Sequence, residues 1–285
     1  MTTISALLDT VTRVLQDAGV PTPRVDAELL VGHVLKLSRG AVQARVATDS
    51  ALSAQDESAI RELIERRAAR EPLQHITGVA AFRSLELAVG SGVFVPRPET
   101  EFVAQFAIDA LLAVASPQPV GVDLGMGSGA IALAMATEVP HSLVYGVEVS
   151  PRAFIWAKQN FARINADNAR AVFVDLATAL LELDGTVDVV ISNPPYIPLG
   201  AIPRDPEVRL FDPAIALYGG GDGMHVLRQV STTAQRLLRP GGTLVLEHGE
   251  LQAAQLAVLL RNDGWRAIVH HRDLLGRDRA TTALR

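Results

Sequence analysis

Asn193-Pro194-Pro195-Tyr196 is the tetrapeptide of this chain whose atoms suggest chemistry most directly. The Asn193 side-chain carbonyl and the Pro194 main-chain carbonyl both accept hydrogen bonds, and two acceptors in one place suit a single –NH2 group. The two prolines fix φ and stiffen the loop, so these acceptors cannot relax away. Tyr196 adds a planar face on which a planar amide or base stacks. An amide or aromatic-amine nitrogen is a poor nucleophile because its lone pair is delocalised. Two fixed acceptors hold both N–H bonds, turn the lone pair toward an incoming electrophile, and stabilise the positive charge that develops on nitrogen. Placement beside the electrophile supplies the remainder. No general base of matched pKa is required, because the proton leaves afterwards.

A second group of residues suits a ligand. Asp123-Leu124-Gly125-Met126-Gly127-Ser128-Gly129 reads as a strand running into a glycine turn and then a helix. Glycines there let the chain turn sharply and let a ligand approach the backbone closely. The spacing is G-x-G-x-G, not the G-x-G-x-x-G of a dinucleotide fold, and no G-x-x-x-x-G-K-[ST] loop occurs. A carboxylate before the first glycine suits a cationic or amino-bearing ligand better than a pyrophosphate. Glu148, at the end of the next strand, is placed to accept from both hydroxyls of a ribose. Asp175 closes the third strand, where it could accept from an adenine amino group while Leu176 covers the ring. Acids at three successive strand ends fit an adenosine ligand without phosphate, which points to S-adenosyl-L-methionine over NAD or ATP.

These residues need an open sheet to bring them together. After residue 119 strand candidates (120–124, 143–147, 171–174, 187–192, 242–246, 265–270 and 280–284) alternate with helical stretches near 129–138, 151–164, 223–238 and 250–262. Such alternation predicts an α/β fold with a mostly parallel seven-stranded sheet and helices on both faces. Its crevice lies at the carboxyl ends of the strands, where the two motifs fall. The first ~80 residues read as helical: Ile4, Leu7, Leu8, Val11, Val14, Leu15 and Ala18 share one face, and Ser53 with Asp56 marks an N-cap. Between 79 and 95 the pattern alternates around Gly90-Ser91-Gly92, which predicts a β-hairpin linker. Pro96 to Glu101 then opens a helix, with proline early and acids in the first turn. The expected division is 1–78 as a helical substrate-recognition domain, 79–95 as the linker, and 96–285 as the α/β domain.

Composition limits the alternatives. The 285 residues include no cysteine, so disulfides, thiolate metal sites and a cysteine nucleophile are excluded. The net charge of −5 arises beyond the charge-balanced first 85 residues and argues against a nonspecific nucleic-acid binder. The start MTTISALLDT lacks the basic and apolar run of a signal peptide, and no stretch approaches the ~18 apolar residues of a membrane span, so a cytoplasmic protein is expected. The seven histidines show no metal-ligand spacing, and no metal is expected. Trp156 and Trp265 read as packing residues. Arg66-Arg67-Ala68-Ala69-Arg70 reads as a solvated helix face or a partner-binding patch. Glu247-His248-Gly249-Glu250 reads as a pocket border or a simple strand-to-helix turn.

Asp123–Gly129, Glu148, Asp175 and Asn193–Tyr196 resemble the Rossmann-like class I S-adenosylmethionine-dependent methyltransferases that modify planar nitrogens. Three further stretches, RAAREPLQHITG from Arg67, VFVPRPETE from Val93 and FDPAIALYGGGDGM from Phe211, narrow the resemblance to the release factor glutamine N5-methyltransferase family, over nearly the whole chain. That resemblance implies methyl transfer from S-adenosyl-L-methionine, leaving S-adenosyl-L-homocysteine, to the glutamine amide of the Gly-Gly-Gln motif in peptide chain release factors. It implies that Asp123, Gly125, Met126, Gly127, Ser128, Gly129, Glu148, Asp175, Leu176 and Asn193 line the cofactor. Asn193, Pro194, Pro195 and Tyr196 would hold the glutamine, with Asn193, Pro194 and Tyr196 as the catalytic set. Phe94, Arg97 and Glu101 would lie near the mouth of the site; read as residues alone, they equally mark a helix N-terminus. The chain departs from the family in carrying Glu148 for the more usual aspartate, Met126 for a small polar residue, and Leu176 at an often aromatic position. A release factor is the expected partner, with no nucleic acid or membrane, and a monomer is expected. The rival readings are a DNA adenine or rRNA guanine amino-methyltransferase and a non-catalytic S-adenosylmethionine-binding scaffold.

Overall fold

The computed structural model describes residues 2–285. The chain divides into two compact units. One is the N-terminal region through Val79 together with Pro203–Phe211; the other comprises Ala80–Ile202 and Asp212–Arg285. The segment Pro203–Phe211 therefore groups with the helices, although its position in the sequence lies inside the expected α/β domain.

The first unit contains α1 (Ile4–Asp17), α2 (Pro23–Leu35), α3 (Arg39–Ala47), α4 (Ala54–Ala68) and α5 (Leu73–Thr77). Thr3 caps α1 by accepting from the Ala6 N–H, and Ser53 caps α4 by accepting from the Asp56 N–H. Ile4, Leu7, Leu8, Val11 and Leu15 are buried with Leu30, Val31 and Ile60. Val14, predicted on the same face, is exposed at the stripe's edge. The arginine run is ion-paired along its length and only partly solvated. Arg67 is buried, and its guanidinium pairs with Asp26 and Glu207 at 2.7 and 2.8 Å. Arg70 pairs with Glu207 at 2.5 Å, and Arg66 with Glu71 at 2.6 Å. A buried guanidinium requires such partners, because an unpaired charge cannot be desolvated cheaply.

The second unit opens with a hairpin, β1 (Val79–Phe82) and β2 (Leu85–Ala88). Its turn falls at Arg83, with φ 52°, rather than at Gly90–Gly92. Those glycines serve packing instead: a Cβ on Gly90 would lie 2.5 Å from the Trp156 ring. Next come α6 (Pro98–Leu112), β3 (Val120–Leu124), α7 (Ala130–Glu138), β4 (Leu143–Glu148), α8 (Pro151–Ile164), β5 (Ala169–Phe173) and β6 (Val187–Ser192). Then follow α9 (Pro206–Phe211, in the first unit), α10 (Ala214–Leu217), α11 (His225–Leu237), β7 (Leu238–Glu247), α12 (Ala253–Asn262), β8 (Arg266–Arg272) and β9 (Asp278–Leu284).

The seven-stranded sheet has the order β5-β4-β3-β6-β7-β9-β8. β3 pairs in parallel with β4 on one side and β6 on the other, so the strand order reverses at β3. β9 lies antiparallel between β7 and β8. The strands flanking β3 are apolar on both faces because helices cover both. One layer buries Val103, Ala107, Leu111, Leu133 and Met135 of α6 and α7; the other buries Leu227, Val230 and Leu237 of α11 with Leu256 and Leu260 of α12. The register sets Asp123 opposite both Gly146 and Ile191, and Ser192 opposite Leu246. The carboxyl ends of β3, β4, β6 and β7 are therefore level at the switch point, where an open α/β sheet holds its ligand.

Candidate active site

Two of the three loop glycines face open space. Gly125 (φ 78°) and Gly127 (φ 57°) have left-handed backbones, and a Cβ on either would meet nothing within 4 Å. Gly129 differs: its Cβ would sit 2.8 Å from the Phe161 ring, so this glycine lets α7 pack on α8. Met126 also turns inward. Its side chain is buried against Gly146, and its N–H, like that of Gly125, bonds to the Val147 carbonyl at 2.9 Å. Ser128 is likewise buried, with its carbonyl accepting from Asn160.

Asp123 lies fully buried beneath this loop. Oδ2 accepts from the Ala132 N–H at 3.1 Å, while Oδ1 has no hydrogen-bond partner. Burial pushes its pKa up to about 7 against that hydrogen bond, and the Glu148 charge adds to the rise. An unsatisfied carboxylate oxygen under an open glycine turn fits a cationic or amino-bearing group. Glu148 ends β4 as expected, but its longer side chain curls onto the backbone. It accepts from Gly127 N at 2.9 Å, Val149 N at 2.9 Å and Ser150 N at 2.7 Å. Burial still raises its pKa. A carboxylate has about four lone-pair sites, so roughly one remains for an outside hydroxyl. Asp175 is exposed and caps the short turn Leu176–Thr178 by accepting from Ala177 N; Leu176 is half-buried beside it.

Asn193 follows the last residue of β6, whose Ser192 hydroxyl donates to the Leu124 carbonyl at 2.6 Å. The Asn193 Nδ2 donates to the Thr100 hydroxyl at 3.2 Å. That commits the amide nitrogen inward and leaves the side-chain carbonyl as an acceptor. Thr100 belongs to the first turn of α6, which starts as the sequence predicts: Arg97 as N-cap, Pro98 in the first turn, then Glu99 and Glu101. Glu247 closes β7 one residue beyond the Leu246 that pairs with Ser192, and both Thr100 and Asn193 favour its charged form. It is buried, its Oε2 has no partner, and burial pushes its pKa up to about 7 although Thr100, Arg279 and Asn193 act to lower it. Tyr196 is held well above the usual phenol range, first by burial and then by the Glu247 charge. It stays neutral, which suits a stacking surface and not a base.

The loop carrying Tyr196 is backed by main chain. A Cβ on Gly219 would lie 2.4 Å from the Pro195 carbonyl, and one on Gly223 2.4 Å from the Tyr196 carbonyl. Gln252 Nε2 donates to the Tyr196 carbonyl at 3.0 Å, while its Oε1 accepts from Gly249 N at 2.8 Å. Phe94 and Arg97 come together, the guanidinium 5.1 Å from the ring centroid, and Arg97 donates to the buried Asp212 at 2.8 Å. Glu101 does not join them through any hydrogen bond described here. Its carbonyl accepts from Arg83, and Thr100 is the residue of this turn that reaches Asn193. In Glu247-His248, the glutamate faces the site while His248 bonds to Thr281 at 2.8 Å.

Thr100, Asp212, Gln252 and Arg279 receive no role from the sequence because no spacing rule links them to Asn193, whereas Glu247 stands in the stretch read as a pocket border or a simple turn. The signal for Asp212, Gly219 and Gly223 was present in the stretch from Phe211, without a role attached.

Comparison with known proteins places these features in a family. Residues 6–78 match the PrmC N-terminal domain, and residues 91–216 match the methyltransferase small domain. A release factor glutamine methyltransferase from Streptomyces coelicolor is 46% identical over 95% of this chain and 94% of its own. A 4-amino-L-phenylalanine/4-methylamino-L-phenylalanine methyltransferase from Streptomyces pristinaespiralis is 38% identical over 92% of this chain and 88% of its own. Among solved structures, the catalytic domain of hMettl16 in complex with the MAT2A 3′UTR hairpin 6 superposes with a TM-score of 0.54 and 18% identity, over 70% of this chain and 74% of that one, a likeness of fold alone. Since relatives of that name match it at 42–46% identity over nearly its full length, the chain belongs to the release factor glutamine methyltransferase family.

Proposed function

We propose that this enzyme transfers a methyl group from S-adenosyl-L-methionine to the side-chain nitrogen of the glutamine in the Gly-Gly-Gln motif of peptide chain release factors. The observation that carries the reading is the commitment of the Asn193 Nδ2 to Thr100, which leaves Oδ1 to accept alongside the carbonyl that the next residue, Pro194, offers. A primary amide offers two N–H bonds to such a pair, and Tyr196 supplies the plane against which it lies. The open face at Gly125 and Gly127, the unsatisfied Asp123 oxygen and the Asp175 side chain fit an amino-acid-bearing adenosine. Asp123 would attract the ammonium group, Glu148 would share its last lone pair with a ribose hydroxyl, and Asp175 with Leu176 would flank the base. When bound, the cofactor supplies an electrophilic methyl group on a sulfonium and departs as S-adenosyl-L-homocysteine.

Asn193 and Pro194 hold the amide N–H bonds, so the nitrogen lone pair is aimed and the charge developing on nitrogen is stabilised. A new N–C bond forms as the methyl–sulfur bond breaks, and the nitrogen then loses one proton to solvent. Among the described residues, no helix is long and apolar enough to cross a membrane.

The Streptomyces pristinaespiralis relative favours a second reading, an aromatic amine as acceptor, since its nitrogen also presents two N–H bonds. Labelled S-adenosylmethionine offered with a release factor, its Gln→Ala variant in the Gly-Gly-Gln motif, 4-amino-L-phenylalanine and duplex DNA separates these. Label on the unmodified factor alone is expected. Label on the amine, on DNA, or on both factor variants overturns the substrate.

A further inference from the structure

An asparagine amide is nearly symmetric in shape, so nothing in its own geometry decides which end faces the substrate. Flipped, Asn193 would present a donor to the N–H bonds it must accept. Thr100 and Glu247 remove that ambiguity. The Thr100 hydroxyl has one proton. If that proton goes to the Glu247 carboxylate, the Thr100 oxygen is left to accept, and the Asn193 Nδ2 is its donor at 3.2 Å. Both partners are buried, at 4% and 3% exposure, so water cannot substitute for either. They come from different elements, the first turn of α6 and the last residue of β7, and meet only behind the loop after β6.

We propose that Glu247 and Thr100 are positioning residues that lock the Asn193 amide with its carbonyl toward the substrate nitrogen. This rests on the glutamine reading above. The lock has a direction set by charge. An ionised Glu247 only accepts, so it draws the Thr100 hydroxyl proton and the Asn193 Nδ2 alike to its side and leaves the Thr100 oxygen to accept from Nδ2. A protonated Glu247 can donate to Thr100, whose own proton is then free to point at Asn193, and the amide can flip. The charged and titratable groups facing Glu247 are Arg279 on β9, Glu99 on α6 and the Tyr196 phenol after β6. Arg279 favours the ionised form and Glu99 opposes it. The ionised form is the competent one, so turnover should rise with pH through about 7.

The test uses the full chain, saturating S-adenosylmethionine and a release factor bearing Gly-Gly-Gln, with kcat followed against pH. Glu247→Gln should lower kcat by about tenfold or more, as misplacement of a catalytic group does, and should flatten its rise with pH. Cofactor affinity by calorimetry should hold. Thr100→Val should lower kcat similarly, and Thr100→Ser should restore it to within about twofold, since the hydroxyl is what matters. Should Glu247→Gln fail to fold, the Thr100 pair decides. Wild-type kcat and pH profile in Glu247→Gln, or equal turnover in Thr100→Val and Thr100→Ser, overturns the inference while the substrate reading stands. A wild-type chain that binds cofactor but leaves the factor unlabelled overturns the substrate reading and takes the inference with it.

Discussion

Asp123 and Asn193 are both polar residues at strand ends, yet their surroundings give them different work. Asp123 keeps an unsatisfied oxygen in a dry place, where burial raises its pKa to about 7, which suits the proposed pairing with a charged guest. A carboxylate must lose its proton to pair with an ammonium group. Cofactor affinity should therefore rise with pH and level off above about 7. Asp123→Asn should bind more weakly and lose that pH dependence, as calorimetry across the range would show. The sign for stability is opposite: a pKa raised on folding contributes stability below the unfolded value, and that contribution fades as pH climbs toward 7. Asn193 is uncharged, and the role proposed for it is one of geometry alone. Asn193→Ala should cut kcat on the order of a hundredfold or more, the scale for losing one preorganised group, with cofactor binding intact.

Elements position these residues through close approaches that only glycine permits. α7 can reach α8 because Gly129 leaves room for Phe161, and the Asn-Pro-Pro-Tyr loop rests on the main chain near Gly219 and Gly223. The expected consequences differ by site. Gly129→Ala forces a Cβ into the Phe161 ring and should cost about 1–3 kcal/mol in chemical denaturation, the usual price of overpacking. Gly223→Ala drives its Cβ toward the Tyr196 carbonyl at a φ of 74°. It should displace the loop and lower turnover well before it lowers cofactor affinity. Equal losses of turnover and affinity in Gly223→Ala would show that the glycine supports the whole fold and not the loop. α6 contributes differently, since its Pro98 start and acidic first turn are local features, while Thr100 gains meaning from β6 and β7.

At the scale of the whole molecule, the chain returns Pro203–Phe211 to the helical unit, where Glu207 meets Arg67 and Arg70. Burial pushes the Glu207 pKa up, but Arg70, Asp205 and Arg67 hold it down to about 2. A pKa lowered on folding contributes stability above the unfolded value of about 4.5, and that contribution is lost as pH falls toward 2. Arg67→Met strips the partner from buried Asp26 and Glu207 and should cost about 3–5 kcal/mol in urea unfolding of the helical unit; a change under 1 kcal/mol would mean that solvent already screens the cluster. Much of the rest was legible in the sequence. Strand–helix alternation, the Ser53 cap, the Pro98 helix start, the glycine turn after Asp123 and the proline-stiffened Asn193 loop all follow from φ preferences, capping and apolar periodicity. These act within a few residues and so are written locally. Tertiary structure alone decided that β9 lies between β7 and β8, that Arg67 of the arginine run is buried by ion pairs, and that Met126 turns inward. It also decided that Thr100 and Glu247 stand behind Asn193. Those outcomes depend on which distant side chains share one dry space, and only packing brings such residues within reach of each other.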